Sequence, residues 1–180
     1  MLNLDVPERG EIICMLKDFV SIKSSVLKKN LPLHWHKTFE FELITSGICI
    51  QEVNGIPYNC NPGAIMCLTP TDFHKITILE GEELRLISLS IAPEILGDEM
   101  LDLMAGKTLG PCCRLNNNEY SRLIYLLEIV FEEIRKKELG VNIMINAVID
   151  QILIFMMRLT RQDAHKTTAD FDKRIKTSIS

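Results

Sequence analysis

Across 180 residues the chain carries no glycine-rich phosphate loop and no serine or cysteine set in a recognisable nucleophile motif. That removes P-loop nucleotide chemistry and covalent acyl transfer; Gly47, Gly55 and Gly63 fall where strands turn. Positive charge is not in excess either. The formal net charge is −4 and the pI is near 5.6, and the basic clusters Lys28-Lys29 and Arg135-Lys136-Lys137 are short and far apart. Such a chain is a poor electrostatic match for a phosphate backbone, so contact with DNA would need another domain. No basic-then-apolar segment opens the sequence, which predicts a cytoplasmic protein. Its uninterrupted apolar runs fall far short of the ~20 residues of a bilayer span, so no membrane partner is expected. The six cysteines (14, 49, 60, 67, 112 and 113) show no CxxC spacing, and Cys112 and Cys113 are neighbours. They read as reduced thiols.

What is present is the composition of one ordinary domain, 47% hydrophobic and 24% charged, long enough to bury a core. The most informative stretch runs His34-Trp-His-Lys-Thr-Phe-Glu-Phe-Glu-Leu-Ile-Thr-Ser-Gly47, an HxHx3Ex6G string. Side chains alternate faces in an extended segment, so His34 and His36 point the same way, and Glu40 rejoins them if the chain bends at 37–39. Glu42 shares the face of Glu40, while Phe39, Phe41 and Leu43 face a core behind the sheet. Trp35 falls opposite the histidines and is expected in core or sheet packing. A second constellation, Pro70-Thr-Asp-Phe-His74, adds an imidazole after another strand. His34, His36, Glu40, Glu42 and His74 are therefore the expected pocket-lining and ligand-binding residues, with one of His34 and His36 lining the cavity and the other a satisfied structural residue.

Residues 1–30 are mixed, and Ile12 to Val20 reads as an arm or irregular strand. Asn54-Gly55 between Cys49–Val53 and Ile56–Cys60 signals a hairpin, because both residues tolerate positive φ. Asn61-Pro-Gly63 ends that strand, Ala64 to Thr69 runs apolar, Pro70 to Asp72 turns again, and Ile76–Leu79 and Leu84–Ile91 follow. Met66 and Leu68 share one face and Ile65 and Cys67 the other, with the cavity side left open. Short strands at this spacing predict a barrel or sandwich.

The period then changes. Tyr120, Leu123, Ile124, Leu127, Val130, Phe131 and Ile134 recur at helical spacing, with Asn116 and Glu119 placed to cap the start and Gly140 to suit the end. A second helix is expected at 142–159, where Asn146, Asp150, Gln151 and Arg158 alone interrupt the apolar residues from Ile143 to Leu159. A helix apolar almost all round needs cover on two sides; barrel and sister helix supply one, and a second copy of the chain is the natural cover for the other. A homodimer through helices near 120–138 and 142–159 is therefore expected, unless both faces are buried within one subunit. Met100, Met104, Met144, Met156 and Met157 read as core fillers. Thr160 to Thr168 reads as a linker, and Phe171 to Ser180 begins a new amphipathic segment.

HxHx3Ex6G, Asn54-Gly55, Asn61-Pro-Gly63 and Pro70 to His74 together resemble the two motifs of the cupin barrel. The run from Leu33 to Leu96, followed by two apolar helices, is similar to the N-terminal sensor domain of AraC-type transcription regulators, a resemblance covering roughly 20–162. It implies a mainly β fold, a cupin-like β-barrel followed by two antiparallel α-helices, divided as barrel with arm at 1–112, helical dimerisation hairpin at 113–162, and at 163–180 a linker and the start of an absent helix-turn-helix domain. It also implies a small-molecule effector and DNA contact only through that absent domain, without enzyme activity. The alternative is a stand-alone metal-dependent cupin oxygenase or isomerase, with His34, His36, Glu40 and His74 as ligands of Fe, Mn, Ni or Zn. The pattern departs from the enzymes: Lys28 and Asp72 stand where glycines belong, the second motif is one residue short, and Ile78 replaces its closing Asn.

Overall fold

The computed structural model describes residues 12–16, 19–105 and 111–178, with side chains described over 19–104 and 111–160. The strands are β1 Ile12–Leu16, β2 Val20–Leu27, β3 Leu31–His34, β4 Phe39–Ser46, β5 Cys49–Val53, β6 Ile56–Cys60, β7 Ala64–Leu68, β8 His74–Ile78, β9 Leu84–Ile91 and β10 Cys112–Arg114. Helix α1 spans Asp98–Ala105, α2 Asn117–Lys136 and α3 Val141–Ser178. All strand pairs are antiparallel. They form a six-stranded sheet ordered β1-β2-β9-β4-β7-β10 and a four-stranded sheet ordered β3-β8-β5-β6. The expected cupin-like double sheet followed by two antiparallel helices is what the chain forms.

The turns obey their local chemistry. Asn54 and Gly55 both take positive φ (51° and 84°) and close the β5–β6 hairpin in register, Val53 opposite Ile56. Gly47, the last residue of the HxHx3Ex6G string, has φ +82°, and a Cβ there would collide with the Glu83 carbonyl. Only glycine lets β4 turn into β5 so close to the strand β9 start.

Alternation assigns two separate cores. Phe41, Leu43, Ile65, Cys67, Ile87, Leu89 and Ile91 face the helices, joined by Leu123, Leu127, Val130, Ile134, Ile145, Ile149, Ile152 and Met156. Ile44, Cys49, Val53, Cys60, Ala64, Met66, Leu68, Ile76, Leu84 and Leu86 fill the space between the sheets. Met66 and Leu68 thus belong to the barrel interior, and Ile65 and Cys67 to the helix side. The capping box on α2 is complete: Asn116 Oδ1 accepts from the backbone of Asn118 and Glu119 (2.9 and 3.0 Å), and Glu119 accepts from the backbone N–H of Asn116 (2.8 Å).

Several expectations need correction. The barrel sheet reaches Arg114, because the three-residue β10 pairs with β7 (Cys112 opposite Met66); so short a strand carries no readable alternation. α1 went unforeseen, although Met100 and Met104 are buried one turn apart on it. α2 ends at Lys136 with Lys137 in the left-handed conformation (φ 52°), so Gly140 precedes α3 instead of ending α2. Met144 is half exposed rather than core. Trp35 lies outside the core too: β3 stops at His34, so alternation no longer governs, and the ring is exposed beside Phe73.

α3 continues through Thr160–Thr168, where a linker was expected; this stretch has no glycine or proline to stop it. The side chains of Phe171 to Ser178, residues 179–180 and residues 1–11 lie outside the described residues. Val141–Thr160 is long and apolar enough to cross a membrane by length and composition (mean hydropathy 1.6), yet half of that stretch is buried inside the domain. Ile145, Val148, Ile149, Ile152, Leu153, Met156 and Met157 pack within this one chain. Ile143 and Met144 stay exposed, as do Leu139 before the helix and Tyr125 on α2.

Candidate functional site

Two rungs of the large sheet carry polar groups into the barrel. Directly paired residues share a face, so Ser21, Ser90, Glu40 and Leu68 form one rung, and Lys23, Ser88, Glu42, Met66 and Cys112 the next. The facing rungs of the small sheet are His34, His74, Val53 and Ile56, and Ile76, Gln51 and Tyr58. One end of the interior is therefore polar and the other apolar.

His36 sits beyond β3, where the chain bends at Lys37 and Thr38. Its Nδ1–H donates to the Thr38 carbonyl (3.0 Å), which aims Nε2 at Glu40 Oε2 (2.7 Å) and His74 Nε2 (3.2 Å). The hydrogen bond that His36 donates to Glu40 raises the imidazole above its ordinary pKa, overcoming burial. Burial pushes Glu40 up, but the hydrogen bond and charge of His36 prevail and its carboxyl stays below the usual range. Ser90 also donates to Glu40 (3.3 Å). His74 has no exposed surface; burial and the His34 ring beside it push it down to about 4, so it is neutral near pH 7. Accepting from His36 at Nε2, neutral His74 must carry its proton on Nδ1. That buried N–H has no partner among the described residues.

Glu42 is deeper. Burial and the charge of Glu40 push it up to about 8, so it is protonated near pH 7. Gln51 donates its Nε2–H to Glu42 Oε2, while Gln51 Oε1 is buried without a partner among the described residues. Gln51 and His74 are diagonal neighbours on the inward face, one offering an acceptor and the other a donor.

Sequence reasoning placed His36, Glu40, Glu42 and His74 together at this end, and the structure does the same. His34 differs. Its Nδ1–H donates to the Pro32 carbonyl (2.8 Å) and its ring packs 4.1 Å from that of His74, so it flanks the cluster. Gln51, Ser88, Ser90 and Lys23 went unnamed, though Cys49-x-Gln51-x-Val53 and the serines of Leu84–Ile91 sit in readable alternation. Asp72, where the cupin pattern wants glycine, organises the turn before His74: it accepts from Thr69 N and Oγ1 (2.7 and 2.8 Å) and from Asn54 Nδ2 (2.6 Å), and Asn54 in turn accepts from Phe73 N (3.0 Å). These bonds lock the His74 loop to the β5–β6 hairpin.

His36, Glu40 and His74 also form the one metal-capable group of at least three among the described residues, with ligand atoms within 4.8 Å of one another. Ligands about 2.0–2.2 Å from a shared ion lie roughly 3 Å apart when adjacent; two of the three separations, 2.7 and 3.2 Å, match, and the third is 4.0 Å. The Thr38 bond also occupies the His36 Nδ1–H, so that Nε2 becomes the ligand atom once its proton leaves. The donor set fits a divalent transition metal bound by three residues rather than the expected four, since His34 stays out. Bound there, an ion would supply a Lewis acid at the polar end of the barrel.

A double sheet closed over inward histidines and carboxylates is the architecture of a cupin-type small-molecule-binding domain. The model of the AraC-like ligand binding domain matches residues 28–153, and the chain belongs to that family. No curated protein matches it. Similar solved structures include a cupin protein from Bacteroides fragilis (16% identity, 54% of this chain and 91% of that one, TM-score 0.45). An RmlC-like cupin from Methanocaldococcus jannaschii with a double-stranded β-helix fold is another (15%, 48% and 84%, 0.42). Salicylate 1,2-dioxygenase from Pseudoaminobacter salicylatoxidans is a third (18%, 47% and 24%, 0.40).

Proposed function

We propose that this chain is the effector-sensing and dimerisation part of an AraC-type transcription regulator, acting in the cytoplasm without catalysis, with DNA contacted by a domain outside these 180 residues. The observation that supports the reading is the inward polar cluster inside a ligand-binding-family barrel: His36, Glu40, Glu42, Gln51 and His74 converge, and two of their buried polar atoms lack partners among the described residues. A small molecule bearing both a donor and an acceptor satisfies Gln51 Oε1 and the His74 Nδ1–H and removes their desolvation penalty, on the order of 1–3 kcal/mol each.

Binding there is coupled to the helices by shared strands. Glu40 and Glu42 lie on β4, whose opposite face, Phe41 and Leu43, belongs to the core packed by α2 and α3. A ligand that bonds better to one arrangement of β4 than to another biases the helix pair by that difference in binding energy. Exposed Tyr125, Leu139, Ile143 and Met144 are the apolar groups on the helix hairpin that a second copy would cover.

The test is thermal-shift screening of the chain against a metabolite panel, followed by dimer and DNA affinity of the full-length protein with the hit. A stabilising compound that changes both affinities supports the reading. A saturating ligand that changes neither overturns it.

A further inference from the structure

The barrel has an open seam lined with sulfur. β6 is the last strand of the small sheet and β10 the last strand of the large one. Cys60 ends β6, directly opposite Cys49 on β5, and Cys112 begins β10, directly opposite Met66 on β7. Across the seam the Cys60 sulfur lies 3.5 Å from Met66 Sδ. It is also within hydrogen-bonding reach of both Cys112 and Cys49. Cys60 and Cys49 have no exposed surface, whereas Cys112 is half-buried and gives solvent access to the group.

We propose that Cys60 and Cys112 are a reversible oxidation site whose disulfide staples the two sheets together along this seam. Cys60 is the nucleophile. Hydrogen bonds from Cys112 and Cys49 pull its thiol below the ordinary range, and the same contacts push those two thiols up.

With hydrogen peroxide as oxidant, the Cys60 thiolate attacks the peroxide: an S–O bond forms, the O–O bond breaks, and the departing hydroxide leaves as water after taking a proton. The sulfenic acid so formed is attacked by the Cys112 sulfur. The S–S bond forms, the S–O bond breaks, and hydroxide leaves with the Cys112 proton as a second water. Two electrons pass from the thiols to the peroxide. Cys112 rather than Cys49 is the resolving thiol, because Cys112 reaches solvent while Cys49 is fully buried, and because β10 is a three-residue edge strand paired on one side and able to close to the ~2.05 Å of an S–S bond. The consequence reaches the helices: Leu115, immediately after β10, donates to the Gly63 carbonyl (2.9 Å), and Asn116 caps α2.

The experiment is peroxide treatment of the reduced chain, followed by intact mass and a non-reducing peptide map. The expected result is the loss of two hydrogens, a monomeric band on a denaturing non-reducing gel, and a linked peptide pair containing Cys60 and Cys112, all reversed by dithiothreitol. Cys112→Ser and Cys60→Ser each abolish the link, and Cys49→Ser retains it. The wild-type map alone decides the matter if a variant fails to fold. A Cys49–Cys60 link, an intermolecular link, or oxygen added at methionine with all thiols intact would overturn the proposal.

Discussion

Replacing Glu42 by Gln changes the least volume at the most costly buried charge. The Glu42 carboxyl is 4% exposed, and burial together with the charge of Glu40 raises it from 4.5 to about 8. A raised acid binds its proton more tightly in the folded state, so its contribution is fully present below the unfolded value and is lost as pH climbs through the folded one. Stability attributable to Glu42 therefore falls between about pH 4.5 and pH 8. The full loss is at most on the order of 5 kcal/mol, and about 3 kcal/mol of it has accrued by pH 7. Glutamine reproduces the neutral acid: it has the same length, and its amide can bond the Gln51 amide. Glu42→Gln should match wild type at pH 4.5 and exceed it by roughly 3 kcal/mol at pH 7, or about 6–12 °C in melting temperature, and by about 4 kcal/mol at pH 8. Chemical denaturation of both proteins from pH 4.5 to 8.5 reads the difference and cancels the other titrating groups. A difference independent of pH would show that folding leaves the Glu42 carboxyl unshifted, and a variant less stable at pH 8 would show that Glu42 is ionised and usefully paired; either result refutes the reasoning.

Three further outcomes follow from particular contacts. Gly47→Ala forces both a positive φ and a Cβ against the Glu83 carbonyl, and should cost about 2–4 kcal/mol, whereas Gly81→Ala, with the same φ of +82° but open space around it, should cost about 1 kcal/mol; urea midpoints separate the two. Asn116→Ala removes both acceptor bonds of the α2 cap and should destabilise by about 1 kcal/mol, read in the same way. In calorimetric titration with Ni2+ or Zn2+, His36→Ala should weaken binding at least ~10-fold while His34→Ala leaves it within about twofold, because only His36 belongs to the three-ligand group.

Much of this architecture was legible because strand alternation and turn chemistry are local. Phe41 and Leu43 against Glu40 and Glu42 announced the two faces of β4, and Asn54-Gly55 announced its hairpin. The histidine and carboxylate cluster was legible for the same reason, since the HxHx3Ex6G spacing needed only one bend to converge. What escaped depends on the third dimension. Trp35 left the sheet once β3 ended at His34, so alternation pointed it to the wrong place. β10 exists because β7 offers it an edge, and nothing in Cys112-Cys113-Arg114 itself encodes a strand. Gln51 was visible as a polar residue on the inward face of β5, between Cys49 and Val53, but its contact with Glu42 joins strands in different sheets and needs the fold. The reach of α3 past Thr160 was hidden by polar composition, which describes an exposed helix as well as it describes a linker.

The most direct test of effector binding at the polar end of the barrel is amide chemical-shift mapping of the 15N-labelled chain with a compound that stabilises it. The largest changes should fall at His36, Glu40, Glu42, Gln51 and His74, and Gln51→Ala should abolish them while the protein stays folded. Saturable changes confined to the helices or the outer face of the small sheet, with those five positions unmoved, would contradict the account.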